Sequence, residues 1–215
     1  MRLLLIRHAQ SSANAERRFQ GHLDVPLSEH GLRESALLAE RLAGLAIDAI
    51  YSSPLQRARR TAELAAERIG LDIHERPALI ERDVGAISGL TREEVVERFP
   101  EFIPAYLDER GSRPIPGFEP DDAFEERVLN GLEAIISAHV NETVAVFTHG
   151  GVIGVFCRQT LGMPALRPSP FAIDNTAVST FDVLDGEFDP RFRNRVRVVA
   201  MNDTCHLDGL RPGAS

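Results

Sequence analysis

The sequence predicts an α/β protein, a three-layer αβα sandwich around a mainly parallel mixed sheet with a small inserted cap. Three observations predict it. Apolar runs too short for buried helices, Leu3 to Ile6 and Thr143 to Phe147, alternate with stretches of helical periodicity. Two further strand-like runs come late and close together, which makes the sheet mixed. A stretch broken by Pro100, Pro104, Pro114 and Pro116 interrupts the alternation and reads as the cap. At 215 residues the chain suits one sizeable domain, 1–215, with the cap inserted at about 91–120.

The elements follow in order. Leu3 to Ile6 is a buried strand that delivers Arg7 and His8 to its carboxyl end, and small polar residues follow that can open a helix. Arg17 to Leu27 is a polar loop, and Ser28 is placed as the N-cap of a helix with apolar residues at helical spacing to Leu45. Asp48 to Tyr51 is a short strand, Leu55 to Ile69 a helix stopped by Gly70, and Leu71 to His74 a third strand. Thr91 to Arg98 makes a short helix at the start of the cap. Asp121 to His139 is a long amphipathic helix capped by Asp121 or Asp122. The strand from Thr143 ends in Thr148-His149-Gly150-Gly151, and a helix follows to Leu161. Ala177 to Leu184 and Val196 to Met201 are the late strands, with an Arg/Asp-rich hairpin between them and a frayed tail from Asp208.

Composition narrows the function. A net charge of -8 argues against nucleic acid or an acidic membrane as partner. All 24 basic residues are Arg, so no lysine nucleophile or Schiff base is available. No run approaches the about 18 apolar residues of a membrane span, and the start lacks the apolar core of a signal peptide, so a cytoplasmic protein is expected. Cys157 and Cys205 match no metal or redox spacing, and Cys157 reads as a core thiol.

Two histidines therefore stand at the carboxyl ends of two strands, each beside a helix start. Loose helix N–H groups and an arginine make that place attractive to an anion. Four segments carry the pattern: Leu5-Ile-Arg-His-Ala-Gln-Ser-Ser-Ala-Asn14, Ser52-Ser-Pro-Leu-Gln-Arg57 with its continuation to Ala62, Leu79-Ile-Glu-Arg-Asp-Val-Gly85 and Val146-Phe-Thr-His-Gly-Gly151. In that order and spacing they resemble the histidine phosphatase superfamily, which includes cofactor-dependent phosphoglycerate mutases and many phosphomonoesterases. The match extends to Gln20-Gly-His-Leu-Asp-Val-Pro-Leu-Ser28 and to Asn202-Asp-Thr-Cys-His-Leu207.

The resemblance implies His8 as the residue that becomes phosphohistidine. It implies Arg7, Arg57 and His149 as the clamp on the phosphoryl oxygens, and Glu81 as the acid and then base. Asn14 matches a further phosphate contact, and Gln20, Thr148 and the backbone N–H groups from Gly150 onward are supporting groups. The chemistry agrees: a neutral imidazole is a competent nucleophile near neutral pH, and guanidinium forks suit phosphoryl oxygens, so neither metal nor cofactor is required. Arg59 and Arg60 read as a solvated helix face, Asp83 as the rival of Glu81, and His22, His30, His74 and His139 as surface residues. His206 lies in a segment that supports the sheet.

The sequence departs from the usual family pattern at Ala9, Gln10 and Ser11, and Pro116 to Pro120 stands where a Gly-Gly-Glu-Ser-like turn is common. It also lacks the glycine-rich segment after the acidic residue and the arginine-rich cap of a glycolytic mutase, since the proline-broken stretch of the cap after Arg98 holds only Arg110 and Arg113. A phosphomonoesterase acting on a small phosphorylated metabolite is therefore favoured. A mutase, or a catalytically silent binding protein of the same fold, is the alternative. A metal hydrolase would need a ligand spacing such as His-x-x-x-His, which is missing. The cap residues Phe99, Phe102, Ile103, Tyr106 and Phe118 suggest a partly apolar pocket roof, and the resemblance allows a homodimer.

Overall fold

A computed structural model describes residues 1–101, 115–164, 169–184 and 195–210. The expected cap residues from Phe102 to Pro114, most of the late hairpin and the end of the tail lie outside the described residues. The described strands are β1 (Arg2–Arg7), β2 (Ala49–Ser52), β3 (Ile73–Glu75), β4 (Thr143–Thr148), β5 (Val178–Val183) and β6 (Val196–Asp203). They form one sheet in the order β3-β2-β4-β1-β5-β6. The pairs from β3 through β1 are parallel, and β5 and β6 add the antiparallel edge.

The described α-helices are α1 (Ser12–Ala15), α2 (Glu29–Ala43), α3 (Gln56–Ile69), α4 (Arg92–Arg98), α5 (Asp121–Ala138) and α6 (Gly150–Leu161). β1 and β4 are apolar at every central position because both faces of the sheet are covered. Leu3, Leu5, Val144 and Val146 pack with Phe124, Val128 and Leu132 of α5 and with Val152, Ile153 and Phe156 of α6. The alternate residues Leu4, Ile6, Ala145 and Phe147 pack with Leu38 and Leu42 of α2 and with Ala62, Ala65 and Ala66 of α3. Two such cores make the expected three layers.

Helix ends follow the expected signals with one correction. Ser28 caps α2 by accepting the Gly31 N–H, and Gly70 ends α3 in the left-handed conformation at φ 84°. Thr91 and Glu94 form a reciprocal capping box on α4. Helix α5, however, is capped by neither Asp121 nor Asp122: Pro120 occupies the cap without a side-chain bond, and both acids lie in the first turn, facing the helix dipole. Helix α3 likewise has no cap of its own, because Leu55 sits there. Asp24 from the loop before α2 supplies one, its carboxylate accepting the Gln56 N–H at 2.7 Å. Among the described residues, no helix is long and apolar enough to cross a membrane.

Candidate active site

The parallel strands β2, β4 and β1 end on the same edge, and their registers bring the ends level. Arg7 pairs with Thr148, and Ser52 with Phe147. Ser53, His8 and His149 therefore emerge side by side, at the kind of crevice where open α/β sheets hold ligands. The two imidazole centroids lie 5.1 Å apart with the rings tilted by 59°. His8 is 3% and His149 0% exposed.

The chain after β1 is pinned on every side. The His8 N–H donates to the Thr148 carbonyl, the Ala9 N–H to Thr61 Oγ1, and the Gln10 N–H to Glu34 Oε2. His8 Nδ1 lies 2.7 Å from the Ala9 carbonyl, which can only accept, so Nδ1 carries the proton and Nε2 of the neutral ring is bare. Burial, and after it the charges of Arg57 and Arg7, hold His8 well below the ordinary imidazole pKa. Burial and Arg57 do the same to His149, whose Nε2 is 2.8 Å from Ser53 Oγ. Both rings are therefore neutral at physiological pH, and His8 presents a lone pair.

The arginines are anchored by carbonyls. Arg57, 1% exposed, donates from Nη1 to Leu23 O and from Nη2 to Gly21 O, both at 2.8 Å. Arg7 donates from Nη1 to Ile173 O at 2.5 Å. Burial lowers both, Arg57 to about 10, and a guanidinium keeps its charge in proteins. The Nε of Arg7, the Nε of Arg57 and the Nδ1 of His149 are buried without a hydrogen-bond partner. Buried donors are normally satisfied, so three orphans on neighbouring site residues mark a place prepared for an anion.

Glu81 reaches the same place from the loop after β3. Thr148 Oγ1 donates to the Leu79 carbonyl and fixes that loop to the end of β4. The Glu81 carboxylate accepts the Arg82 N–H at 2.9 Å and the Gly151 N–H at 3.0 Å, which seats it over the first turn of α6. Gly151 is glycine for this reason: an added Cβ would stand 2.2 Å from Glu81 Oε1. Asp83, the rival carboxylate, turns back to accept the Gly85 N–H.

The remaining expected residues take different places. Gly150 opens α6 against Arg7, where an added Cβ would stand 3.8 Å from Nε. Asn14 closes a capping box with Ser11, and Gln20 Oε1 accepts from Ser11 Oγ at 2.7 Å, so both flank the β1 end. The Thr148 hydroxyl, bonded to Leu79, acts on the Glu81 loop. Arg59 and Arg60 pair with Glu63 on the exposed face of α3. His139 is not a surface residue: its side chain is largely buried and hydrogen-bonds Tyr51 Oη at 2.9 Å, tying the end of α5 to β2. His22 is exposed but belongs to the site, its Nε2 lying 2.9 Å from the Glu81 carbonyl. Sequence reasoning also missed Ser53, although it lies in the Ser-Ser-Pro segment that ends β2.

The model of the histidine phosphatase superfamily (branch 1) matches residues 3–195. The chain belongs to that superfamily. This chain is 34% identical to phosphoserine phosphatase 1 of Hydrogenobacter thermophilus over 207 residues, covering 96% of this chain and 94% of the relative. It is 36% identical to phosphoglycerate mutase-like protein 4 of Arabidopsis thaliana over 212 residues, covering 96% and 86%. Among solved structures it matches mycobacterial glucosyl-3-phosphoglycerate phosphatase in complex with VO3, with a TM-score of 0.81 and 26% identity over 94% of this chain and 98% of that one.

Proposed function

We propose that this phosphatase hydrolyses a small phosphomonoester without a metal, through a phosphohistidine formed on His8 Nε2. The observation that carries the reading is the bare Nε2 of a neutral His8 beside three orphaned nitrogens, on Arg7, Arg57 and His149. The phosphoryl group brings negative charge on its non-bridging oxygens, and two guanidinium groups and an imidazole satisfy it there. In the first step His8 Nε2 forms a bond to phosphorus as the P–O bond to the alcohol breaks, and protonated Glu81 gives its proton to the leaving oxygen. In the second, the Glu81 carboxylate takes a proton from water as that oxygen attacks phosphorus. The P–N bond then breaks and returns neutral His8 with inorganic phosphate.

The substrate class follows from chemistry shared by relatives. Phosphoserine, phosphoglycerate and glucosyl-3-phosphoglycerate, named in the three relatives, all place a phosphate on a small molecule bearing a carboxylate. A carboxylate-bearing phosphomonoester is the substrate class we assign. The mutase-like relative also supports a second reading, in which the phosphohistidine returns its phosphoryl group to the substrate instead of to water.

The test is phosphate release from phosphoserine, 3-phosphoglycerate and p-nitrophenyl phosphate with EDTA present, comparing native protein with His8→Ala. Release that persists in EDTA and disappears in the variant is expected. Loss of release in EDTA, or equal release by the variant, refutes the mechanism. Conversion of 3-phosphoglycerate to 2-phosphoglycerate without net phosphate selects the mutase.

A further inference from the structure

Thr176 is buried, β-branched and held at φ 55°, a conformation that such residues rarely adopt. Local strain of that kind persists only where surrounding bonds over-determine it. Here they do. The Thr176 N–H is shared between the carbonyls of Arg7 at 3.1 Å and His8 at 3.4 Å. Its hydroxyl donates to the Asn175 carbonyl at 2.8 Å and lies 3.0 Å from His206 Nε2.

The polarity of this chain of bonds is fixed from its far end. Arg41 on α2 can only donate, and it donates to His206 Nδ1 at 3.3 Å, so the His206 proton sits on Nε2. That Nε2–H donates to the Thr176 hydroxyl, which in turn donates to the Asn175 carbonyl. Arg41 is held in place by the carbonyl and the carboxylate of Asp203. The turn itself is clamped by Asn202, which accepts the Asp174 N–H at 2.6 Å and donates to the Asp174 carboxylate at 3.1 Å.

These bonds leave the Asn175 side chain aimed at the end of β1. Its Nδ2 donates to the His8 carbonyl at 2.9 Å and approaches Asn14 Oδ1 at 3.5 Å. The His8 carbonyl belongs to the peptide joining His8 to Ala9, and the Ala9 carbonyl is the acceptor that orients the His8 ring through Nδ1. The backbone on both sides of the ring is therefore held, on one side by Asn175.

We propose that Asn175 is a positioning residue for phosphoryl transfer, fixing the His8–Ala9 peptide so that His8 Nε2 points at the phosphoryl site, with Thr176 and His206 holding Asn175 in turn. The proposal rests on His8 being the nucleophile. A displacement of about 1 Å in a reacting group costs up to a hundredfold in rate, so the amide acts on turnover and leaves binding alone.

The test uses the full chain, with p-nitrophenyl phosphate as substrate and His8→Ala as the reference for the nucleophile. Asn175→Asp keeps the shape of the side chain and loses the donor; Asn175→Ser is the second variant should the first fail to fold. The expected result is a fall in kcat of roughly tenfold to a hundredfold, with KM within twofold of native and an unchanged thermal unfolding midpoint. Rapid-quench measurement should place the loss in the rate of phosphoenzyme formation. A kcat within twofold of native in a folded variant overturns the proposal. So does a raised KM at native kcat, which would make Asn175 a substrate contact. Native activity that survives His8→Ala would instead overturn the nucleophile, a result distinguishable from either.

Discussion

Gly151→Ala tests how the site holds Glu81, the acid of the proposed mechanism. Gly151 lies in the first turn of α6, where an added Cβ would stand 2.2 Å from Glu81 Oε1, 3.1 Å from its Cδ and 3.3 Å from Phe124 Cζ. The helix cannot retreat cheaply, because Val152, Ile153 and Phe156 are fully buried against the sheet. The carboxylate must therefore move by about 1 Å, and its bond from the Gly151 N–H is broken or bent. A misplacement of that size costs about a hundredfold in rate, equivalent to about 2.7 kcal/mol of transition-state stabilisation. Folding stability should hardly change: the lost hydrogen bond is worth about 1 kcal/mol, and alanine regains about 1 kcal/mol over glycine within a helix. The assay is steady-state hydrolysis of phosphoserine and of p-nitrophenyl phosphate, beside a urea unfolding curve. A serine alkoxide needs protonation as it leaves and a nitrophenolate hardly does, so the loss should be larger for formation of the phosphoenzyme from phosphoserine. Activity within threefold of native on both substrates would refute the placement of Glu81, and so would a loss matched by unfolding.

Three further outcomes are expected. Arg57→Lys keeps the charge but loses the fork that holds Gly21 and Leu23, so kcat/KM should fall about a hundredfold and stability by about 1–3 kcal/mol; near-native kinetics would make Arg57 a structural residue only. Stability should fall on acidification: His8 and His149 are lowered well below the ordinary value and His206 to about 4. The unfolded chain takes up these protons near pH 6.5 while the folded one does not, so the contribution is full above about pH 6.5 and is lost below it. The His206 share is exhausted near pH 4, and a urea midpoint that is unchanged or higher at pH 5 than at pH 7.5 would contradict buried neutral imidazoles. Iodoacetamide should label Cys205, which is exposed, and spare Cys157, whose thiol burial pushes up to about 12; two labels on native protein would contradict the packing of α6.

The fold was legible because its signals are local. The unbroken apolar runs of β1 and β4 imply burial on both faces, and Ser28, Gly70 and Thr91 mark helix ends through bonds to their own neighbours. The cap on α3 was not legible, because Asp24 reaches it from 32 residues away. The same division runs through the site. His8, Arg7 and His149 stand at strand ends, which periodicity locates, whereas Glu81 is preferred to Asp83 only through the family resemblance, and the bond from Gly151 that seats its carboxylate crosses the fold. His22 and Asn175 act on backbone carbonyls of distant residues, Glu81 and His8, and no pattern of residue types records such a contact.

Arg7 and Arg57 share an arrangement that explains how cations are kept buried in a site awaiting charge. Among the described residues neither pairs with a carboxylate, and a carboxylate there would compete with a phosphoryl group for the guanidinium. Backbone carbonyls take that place: Ile173 for Arg7, and Gly21 and Leu23 for Arg57. A carbonyl dipole orients a guanidinium without neutralising it, so the positive charge is preserved while the side chain is immobilised. Anchoring falls on the Nη atoms and leaves each Nε unpartnered. Burial, and after it the same charge, holds His8 well below the ordinary imidazole pKa, so in the mechanism proposed above one device would serve both the nucleophile and the clamp on its electrophile. Desolvation costs stability in the free enzyme, and an arriving phosphoryl group relieves it without reorganising the site, which is the condition for strong electrostatic stabilisation of the transition state. Orthovanadate should accordingly raise the unfolding midpoint of the native protein, and Arg57→Lys should lose most of that rise; an equal rise in both would mean that the guanidinium of Arg57 does not meet the anion.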